Sequence, residues 1–333
     1  HFLMKIIETT PDATGFAQFE AALTQISPEQ AHPTYSKKQF LKGYLLEHED
    51  GYQARIALYQ HPDLQLDAQP VLTLGAYACK DNAALSTYLL EAVFQDIRIR
   101  FPDIKTIVGP MEGTTWENYR FVLPSPTKPY TLEPMNPAWY PAQWKAAGFE
   151  VLKKYQSNLA HFSEENRKDI SAYLTHFKTL GVRFRNFNSA NAQEELEKLA
   201  DFNITAFDAA FLYTPIDKTE FVEKYKKILP LMREELVILA EQEDRIVGMI
   251  FCIPEPQDPE RKRMIVKTLA RLPNPEFKGM GEVLCQIMVN QAIDLGFNQM
   301  IHALMRVDNA SMRTSDHFWG SIFREYVLMY RTL

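Results

Sequence analysis

Pro275-Glu276-Phe277-Lys278-Gly279-Met280-Gly281-Glu282 lies between an apolar run at 264–272 and a longer amphipathic one at 281–295. The first run reads as a strand that Pro273 and Pro275 stop. In the second, Val283, Leu284, Ile287, Met288 and Ala292 recur at helical spacing. The quoted stretch is therefore a strand-to-helix junction that carries Gly-x-Gly. Glycines at such a place let backbone N–H groups approach an anion. The start of the helix adds partial positive charge, so a pyrophosphate suits it. A tight turn without a ligand uses the same glycines, and only the surroundings separate the two. Two other phosphate loops fail: GxxxxGK[ST] is absent, and a dinucleotide fingerprint needs glycine where Leu284 stands.

The surroundings repeat. Before the junction, Ile238-Leu239-Ala240 and Gly248-Met249-Ile250-Phe251 flank the acidic turn Glu243-Asp244, which reads as a hairpin. After it come a strand at 299–305, a short helix at 313–319 and a final strand from Gly320. The first half follows the same order. Leu45-Leu46 and Arg55-Ile56-Ala57-Leu58 flank Glu49-Asp50-Gly51, then come a strand at 70–78 and a helix at 83–100. A strand at 104–108, a short helix at 141–147 and a strand from Gly148-Phe149 close it. Further helices are expected at 15–26, 192–207 and 218–229. The first half's own junction, Cys79-Lys80-Asp81-Asn82-Ala83, has no Gly-x-Gly, so that half reads as scaffold or substrate wall.

At 333 residues the chain suits two domains of roughly 150 each. Hydrophobic residues at 46% and charged ones at 23% mark a folded protein, and the net charge of −6 argues against nucleic acid as a partner. The longest apolar stretch, 246–253, is far short of the ~20 residues that span a bilayer. No signal-peptide pattern precedes Met4, which reads as the natural start. Cys79, Cys252 and Cys285 are far apart in apolar surroundings, as buried thiols in a reducing cytoplasm would be. Scattered histidines and the absence of CxxC or HExxH speak against a metal site.

The segment from Pro275 to Gly281, the helix running to Asp294-Leu295-Gly296-Phe297, and the strand leading to Val307-Asp308-Asn309 resemble the central motif of the GNAT (GCN5-related N-acetyltransferase) superfamily. Gly109-Pro110-Met111, Asn136-Pro137-Ala138-Trp139-Tyr140, Asn309 with Met312-Arg313, and Arg324 with Tyr326 and Tyr330 extend the likeness to a bacterial group with two such halves. The resemblance implies an α/β (α+β) fold of two tandem acyl-CoA N-acyltransferase-like domains, each a mixed, mostly antiparallel sheet flanked by helices. The expected divisions are a degenerate domain at 4–160, a linker helix at 161–181 and an acyl-CoA-binding domain at 182–333. The implied cofactor is acetyl-CoA or another acyl-CoA, held by Phe277, Lys278, Gly279, Met280, Gly281, Glu282, Asn309 and Arg313. Glu276 departs from the usual Gln or Arg and would repel a pyrophosphate unless it points away.

The implied reaction is direct attack of an amine, from a small molecule or a peptide, on the thioester. It needs a base, donors for the carbonyl oxygen and a tolerable leaving group. Backbone N–H groups along Leu269, Ala270, Arg271 and Leu272 are the expected donors, where a splayed strand leaves them unpaired. The family's catalytic tyrosine falls on Asp316, followed by His317, and in the first half on Trp144. Asp316 with His317, or Tyr326, are thus the candidate proton-transfer groups, and His302 reads as a core or cleft-lining residue. Phe207, Phe211, Tyr213, Trp116 and the stretch from Gly109 to Gly113 are candidate cleft walls; Arg261-Lys262-Arg263 reads as a solvated strand start remote from the loop. Two rival readings are a non-catalytic acyl-CoA-binding regulator and a tandem aminoacyl or peptidyl transferase.

Overall fold

The computed structural model describes residues 3–28, 35–257, 259–260 and 262–333, so Arg261 lies outside the described residues. The first half contributes β1 (Lys5–Thr9), α1 (Phe16–Ile26), β2 (Phe40–His48), β3 (Gly51–Tyr59), the small strands β4 (Gln65–Leu66) and β5 (Gln69–Pro70), and β6 (Leu72–Cys79). It continues through α2 (Ala83–Arg100), β7 (Thr106–Gly109), β8 (Phe121–Val122), α3 (Tyr140–Ala146) and β9 (Glu150–His161). After α4 (Ser171–Thr179), the second half runs β10 (Val182–Asn186), α5 (Ala192–Ala206), α6 (Lys218–Lys226), β11 (Val237–Gln242), β12 (Arg245–Pro254) and β13 (Arg263–Arg271). It ends with α7 (Met280–Asp294), β14 (Gln299–Arg306), α8 (Ser311–His317) and β15 (Ser321–Thr332).

Local chemistry explains the repeated hairpins. Glu243 and Asp244 are both left-handed (φ 48 and 63), as a two-residue turn matching strand twist requires. The equivalent turn in the first half places Gly51 at φ 97. α2 occupies the expected span, with Asn82 capping it by accepting from Ala84 N–H.

One sheet joins both halves, in the order β1-β2-β3-β6-β7-β15-β9-β14-β13-β12-β11-β10. The closing strands are exchanged: β15, from the end of the second half, pairs with β7, while β9, from the end of the first, pairs with β14. β9 and β15 also pair with each other along most of their length. Each half therefore completes the sheet of the other. Apolar cores form on either side of this seam, a large one around β11–β13 and α7 and another around β2, β3, β6 and α2.

α8 covers one face near the seam, and the irregular segment after α5 covers the other. Along β9, Asn158 donates to Ser315 of α8, whereas Tyr155, on the alternate face, clusters with Phe211 and Leu212 after α5. No helix among the described residues is long and apolar enough to cross a membrane.

Candidate functional site

β13 and β14 pair in parallel only from Arg263 to Val266 against Gln299 to His302. Beyond that point β13 stays with β12 as far as Arg271, while β14 bends away. The bend has a local cause: Leu304 is left-handed (φ 55), the register to β9 shifts there, and its N–H donates to Ser157 Oγ at 3.1 Å. β13 bulges at Lys267, opposite the step from Phe251 to Cys252. The two strands thus open into a V. Leu272 N–H bonds Val247 O at 2.8 Å, and alternation along an antiparallel pair turns the backbone groups of Leu269 and Arg271 into the opening.

The opening leads into a cavity of about 890 Å³ that crosses the sheet seam. Thr268, Leu269, His302, Asn309 and Ser315 border it from the second half, and Glu112, Trp116, Arg120 and Glu133 from the first. The expected walls Phe207, Phe211, Met111 and Trp116 are on this border. Tyr213 instead stacks edge-on to Trp116, with ring centres 6.4 Å apart.

The Gly-x-Gly loop begins α7. Gly279 sits at φ 85 in the N-cap position without a side-chain cap, a backbone state that favours glycine. The first backbone bond of the helix is Val283 N–H to Gly279 O at 3.2 Å. The N–H groups of Gly279, Met280, Gly281 and Glu282 therefore have no protein acceptor among the described residues. A Cβ built on Gly279 or Gly281 meets nothing within 4 Å, so the loop is open on its side-chain side. Lys278 and Glu276 are both exposed and free to turn toward or away from that side. Phe277 and Met280 point inward, the Met280 sulfur packing against Gly248. Open donors at a helix start, next to a splayed strand, fit the pyrophosphate and arm of a coenzyme A.

The expected catalytic side chains do not meet here. Asp316 and His317 are exposed in the last turn of α8 and do not border the cavity. α8 starts two residues earlier than expected, and Ser315 is the residue that it buries. Tyr326 is fully buried; its hydroxyl donates to Glu133 and lies 3.1 Å from both Ser157 Oγ and the Tyr130 hydroxyl. Burial, with Tyr130 and Glu133 beside it, raises Tyr326 far above an ordinary phenol, so it holds its proton rather than donating it in a reaction. Of the expected cofactor residues, Asn309 borders the cavity mouth; Arg313 is exposed on α8, and Arg271 bonds its own neighbour's carbonyl at Leu272, 3.0 Å away.

Two titratable groups not expected to act border the cavity. His302 Nδ1 is 2.6 Å from Ser315 Oγ, which also accepts from Asn158 Nδ2 at 2.8 Å, and Nε2 has no partner. Gly320 makes room for this pair, since a Cβ there would collide with Ser315 Oγ and His302 Nδ1. Burial depresses His302 to about 4, so the ring is neutral at pH 7. Glu133 has a fully buried side chain; Oε2 accepts from Arg324 Nε at 2.5 Å and from Tyr326, while Oε1 has no partner. Burial raises its carboxyl, against the pull of Arg324 and Tyr326. Glu133 follows an aperiodic stretch after β8, where no sequence pattern marks burial.

No family model matches the chain, and no curated protein matches it in sequence. Solved structures do match. A GCN5-related glucosamine N-acetyltransferase region of a fungal multi-domain GH3 β-N-acetylglucosaminidase aligns over 99% of this chain at 11% identity and TM-score 0.56; the alignment spans 38% of that longer chain. A GCN5-related N-acetyltransferase from Sphaerobacter thermophilus aligns over 98% of this chain and 95% of its own, at 12% identity and TM-score 0.52. A tandem GNAT protein from the clavulanic acid biosynthesis pathway aligns over 99% and 98%, at 8% identity and TM-score 0.50. With the V between β13 and β14 and the glycine loop that opens α7, these likenesses show that the chain has the GCN5-related N-acetyltransferase superfamily fold, in a tandem arrangement with exchanged closing strands.

Proposed function

We propose that the protein is an N-acyltransferase that takes an acyl group, acetyl in the simplest case, from acyl-CoA and passes it to an amine. The observation that carries this reading is the coincidence of two features: β13 and β14 part after Val266 and His302, and the adjoining helix starts at Gly279 with four uncommitted N–H groups. Those N–H groups and the dipole of α7 hold the pyrophosphate, with Lys278 beside the loop in sequence, Asn309 before α8 and Arg313 on it, to add charge and hydrogen bonds. Bound acyl-CoA supplies an activated thioester carbonyl. The backbone groups of Leu269 and Arg271 that face the opening are the donors available to its oxygen. A thiol leaves near pKa 8.5, so the lack of a tyrosine on α8 costs little.

Glu133 is the proton acceptor in this reading. Glu133 borders the cavity, but its side chain is closed to solvent. Oε1 has no partner, and Arg324 and Tyr326 fix the other oxygen, so the segment that carries Glu133 has to shift for an amine proton to reach Oε1. The path from Glu133 through Tyr326 and Ser157 ends on Leu304 N–H, at the bend that opens the V. His302, neutral and tied to Ser315, is a weak base by comparison and packs the apex. The amine acceptor binds from the side lined by Trp116, Phe207 and Phe211.

Titration calorimetry with CoA tests the site. Gly279→Glu introduces a charge and a Cβ where φ is 85, and affinity is expected to fall by at least about 100-fold. Equal affinity in wild type and variant would remove the claim. Thiol release from acetyl-CoA over an amine panel tests the chemistry: Glu133→Gln is expected to lower kcat about 100-fold with CoA affinity kept. CoA binding without thiol release from any amine would favour a regulator instead.

A further inference from the structure

Three of the charged residues that border the cavity are ion-paired. Glu117 meets Lys224 at 2.9 Å, Glu133 meets Arg324 at 2.5 Å, and Arg306 meets Asp308 at 2.5 Å. Three cations on this border have no ion pair among the described residues: Arg55, which is buried and donates to the carbonyl of Phe19 at 2.9 Å, and the more open Arg120 and Lys267. The Arg120 guanidinium lies 3.8 Å from the centre of the Tyr119 ring and 4.8 Å from that of Tyr155, and its Nε has no hydrogen-bond partner. Lys267, on the bulge of β13, bonds only the Tyr225 hydroxyl at 3.1 Å and rests over that ring at 4.4 Å. Neither has a carboxylate within ion-pair reach among the described residues. In a chain of net charge −6, this cavity keeps uncompensated positive charge.

The setting of Arg120 is specific. Its backbone is left-handed (φ 79), held by its N–H bonding Pro110 O at 2.9 Å. Side chains rarely adopt this conformation, and it recurs at functional sites. Two aromatic faces hold the guanidinium plane in one orientation, which suits a two-pronged hydrogen bond to a carboxylate. Arg120 and Lys267 both stand among aromatic residues, with Trp116, Phe207 and Phe211 on the same cavity. That combination recognises a small anion attached to an apolar body.

Building on the N-acyltransferase reading, we propose that the acceptor carries a carboxylate beside its amine, as an apolar or aromatic α-amino acid does, with Arg120 gripping the carboxylate and Lys267 adding charge across the opening. The aromatic walls take the side chain, and the amine is left toward the V and Glu133.

The test compares phenylalanine with phenylalaninamide and phenethylamine, using thiol release from acetyl-CoA. The amide's amine is less basic and more available, so a preference for the acid runs against intrinsic reactivity. Wild type is expected to favour phenylalanine over phenylalaninamide by roughly 30-fold in kcat/KM, the range of a charge-assisted bidentate contact. Arg120→Gln is expected to bring the two within about threefold and Lys267→Met to narrow the gap in part, with CoA affinity by calorimetry reporting an intact fold. Equal use of acid and amide by wild type, or an Arg120→Gln loss that falls equally on both, would overturn the proposal. If no amine releases thiol, the catalytic reading fails separately. Calorimetry of phenylalanine against phenylalaninamide on the CoA-loaded protein then decides: a carboxylate preference that Arg120→Gln removes supports the subsite, and no preference rejects it.

Discussion

In the N-terminal half β6 and β7 pair only at Leu72 and Thr73 against Ile107 and Val108, then part as β13 and β14 do. Aromatic side chains narrow this opening, and Gly75, Ala76, Tyr77 and Tyr140 still border the cavity. Tyr77 meets Tyr140 at 4.7 Å and Trp144 at 5.5 Å between ring centres, and Phe121 meets Trp144 at 5.0 Å. The strand end is also spoken for: Trp139 Nε1 donates to Cys79 O, Cys79 N–H to the Tyr140 hydroxyl, and Gln143 Nε2 to Lys80 O. Asn82 caps the helix start that Gly279 leaves bare in the other half. The same backbone is therefore packed with aromatic rings in one half and left more open in the other, according to whether aromatic residues on the short helix turn inward.

Breaking the plug is the sharpest way to test that contrast. Trp144 is fully buried, and its ring covers Gly109, where a Cβ would sit 2.7 Å from it. Trp144→Ala is expected to cost about 3–5 kcal/mol, the usual range for emptying such a site. Urea denaturation measures it. A loss below about 1 kcal/mol would mean that the first opening is loosely filled and available to a ligand.

A smaller effect separates the acids that follow the two parting strands. Asp308, after β14, is exposed and paired with Lys153 and Arg306. Glu112, after β7, is buried; Ser36 N–H and Asn118 Nδ2 donate to Oε1 at 3.3 Å each, and Oε2 has no partner. Burial pushes its carboxyl up to about 7. Between the unfolded value near 4.5 and about 7, the native state keeps a proton that the unfolded chain has lost. Stability therefore falls as pH rises through that window, by up to about 3 kcal/mol from this group. Glu112→Gln is expected to flatten the decline, read as unfolding free energy at pH 5 and pH 8. His302, kept neutral by burial, gives the opposite slope below about 6.5, so the readout is the difference between wild type and variant. A difference that does not change between pH 5 and pH 8 would refute the assignment.

How much of this was legible in the residues follows from how local each cause is. The loop at Gly279 and the span of α2 depend on glycine conformation, capping and helical spacing, and all three are written along the chain. The strand exchange is not. β9 and β15 are both long strands that follow a short helix, and only the assembled sheet decides which pairs with β7 and which with β14. Glu133 and Arg120 lie in irregular segments, where burial comes from elements far away in sequence such as Arg324 and Tyr155. Tyr326 was visible as a strand tyrosine, yet its Glu133 partner was not.

The smallest expected effect concerns the residues that the family pattern pointed to on α8. Trp144 and Asp316 occupy matching places in the two halves, yet one is fully buried and the other exposed. A helix that starts at Ser311 brings Ser315 to His302 and leaves Asp316 and His317 on the outer side. Neither borders the cavity, and exposed substitutions away from specific contacts usually stay within about 0.5 kcal/mol. Asp316→Ala and His317→Ala are therefore expected to change both stability and kcat by no more than about twofold in the corresponding constants. A kcat loss of about 100-fold in either variant would return proton transfer to α8 and take it from Glu133, because an exposed helix turn then has to reach the thioester in the working enzyme.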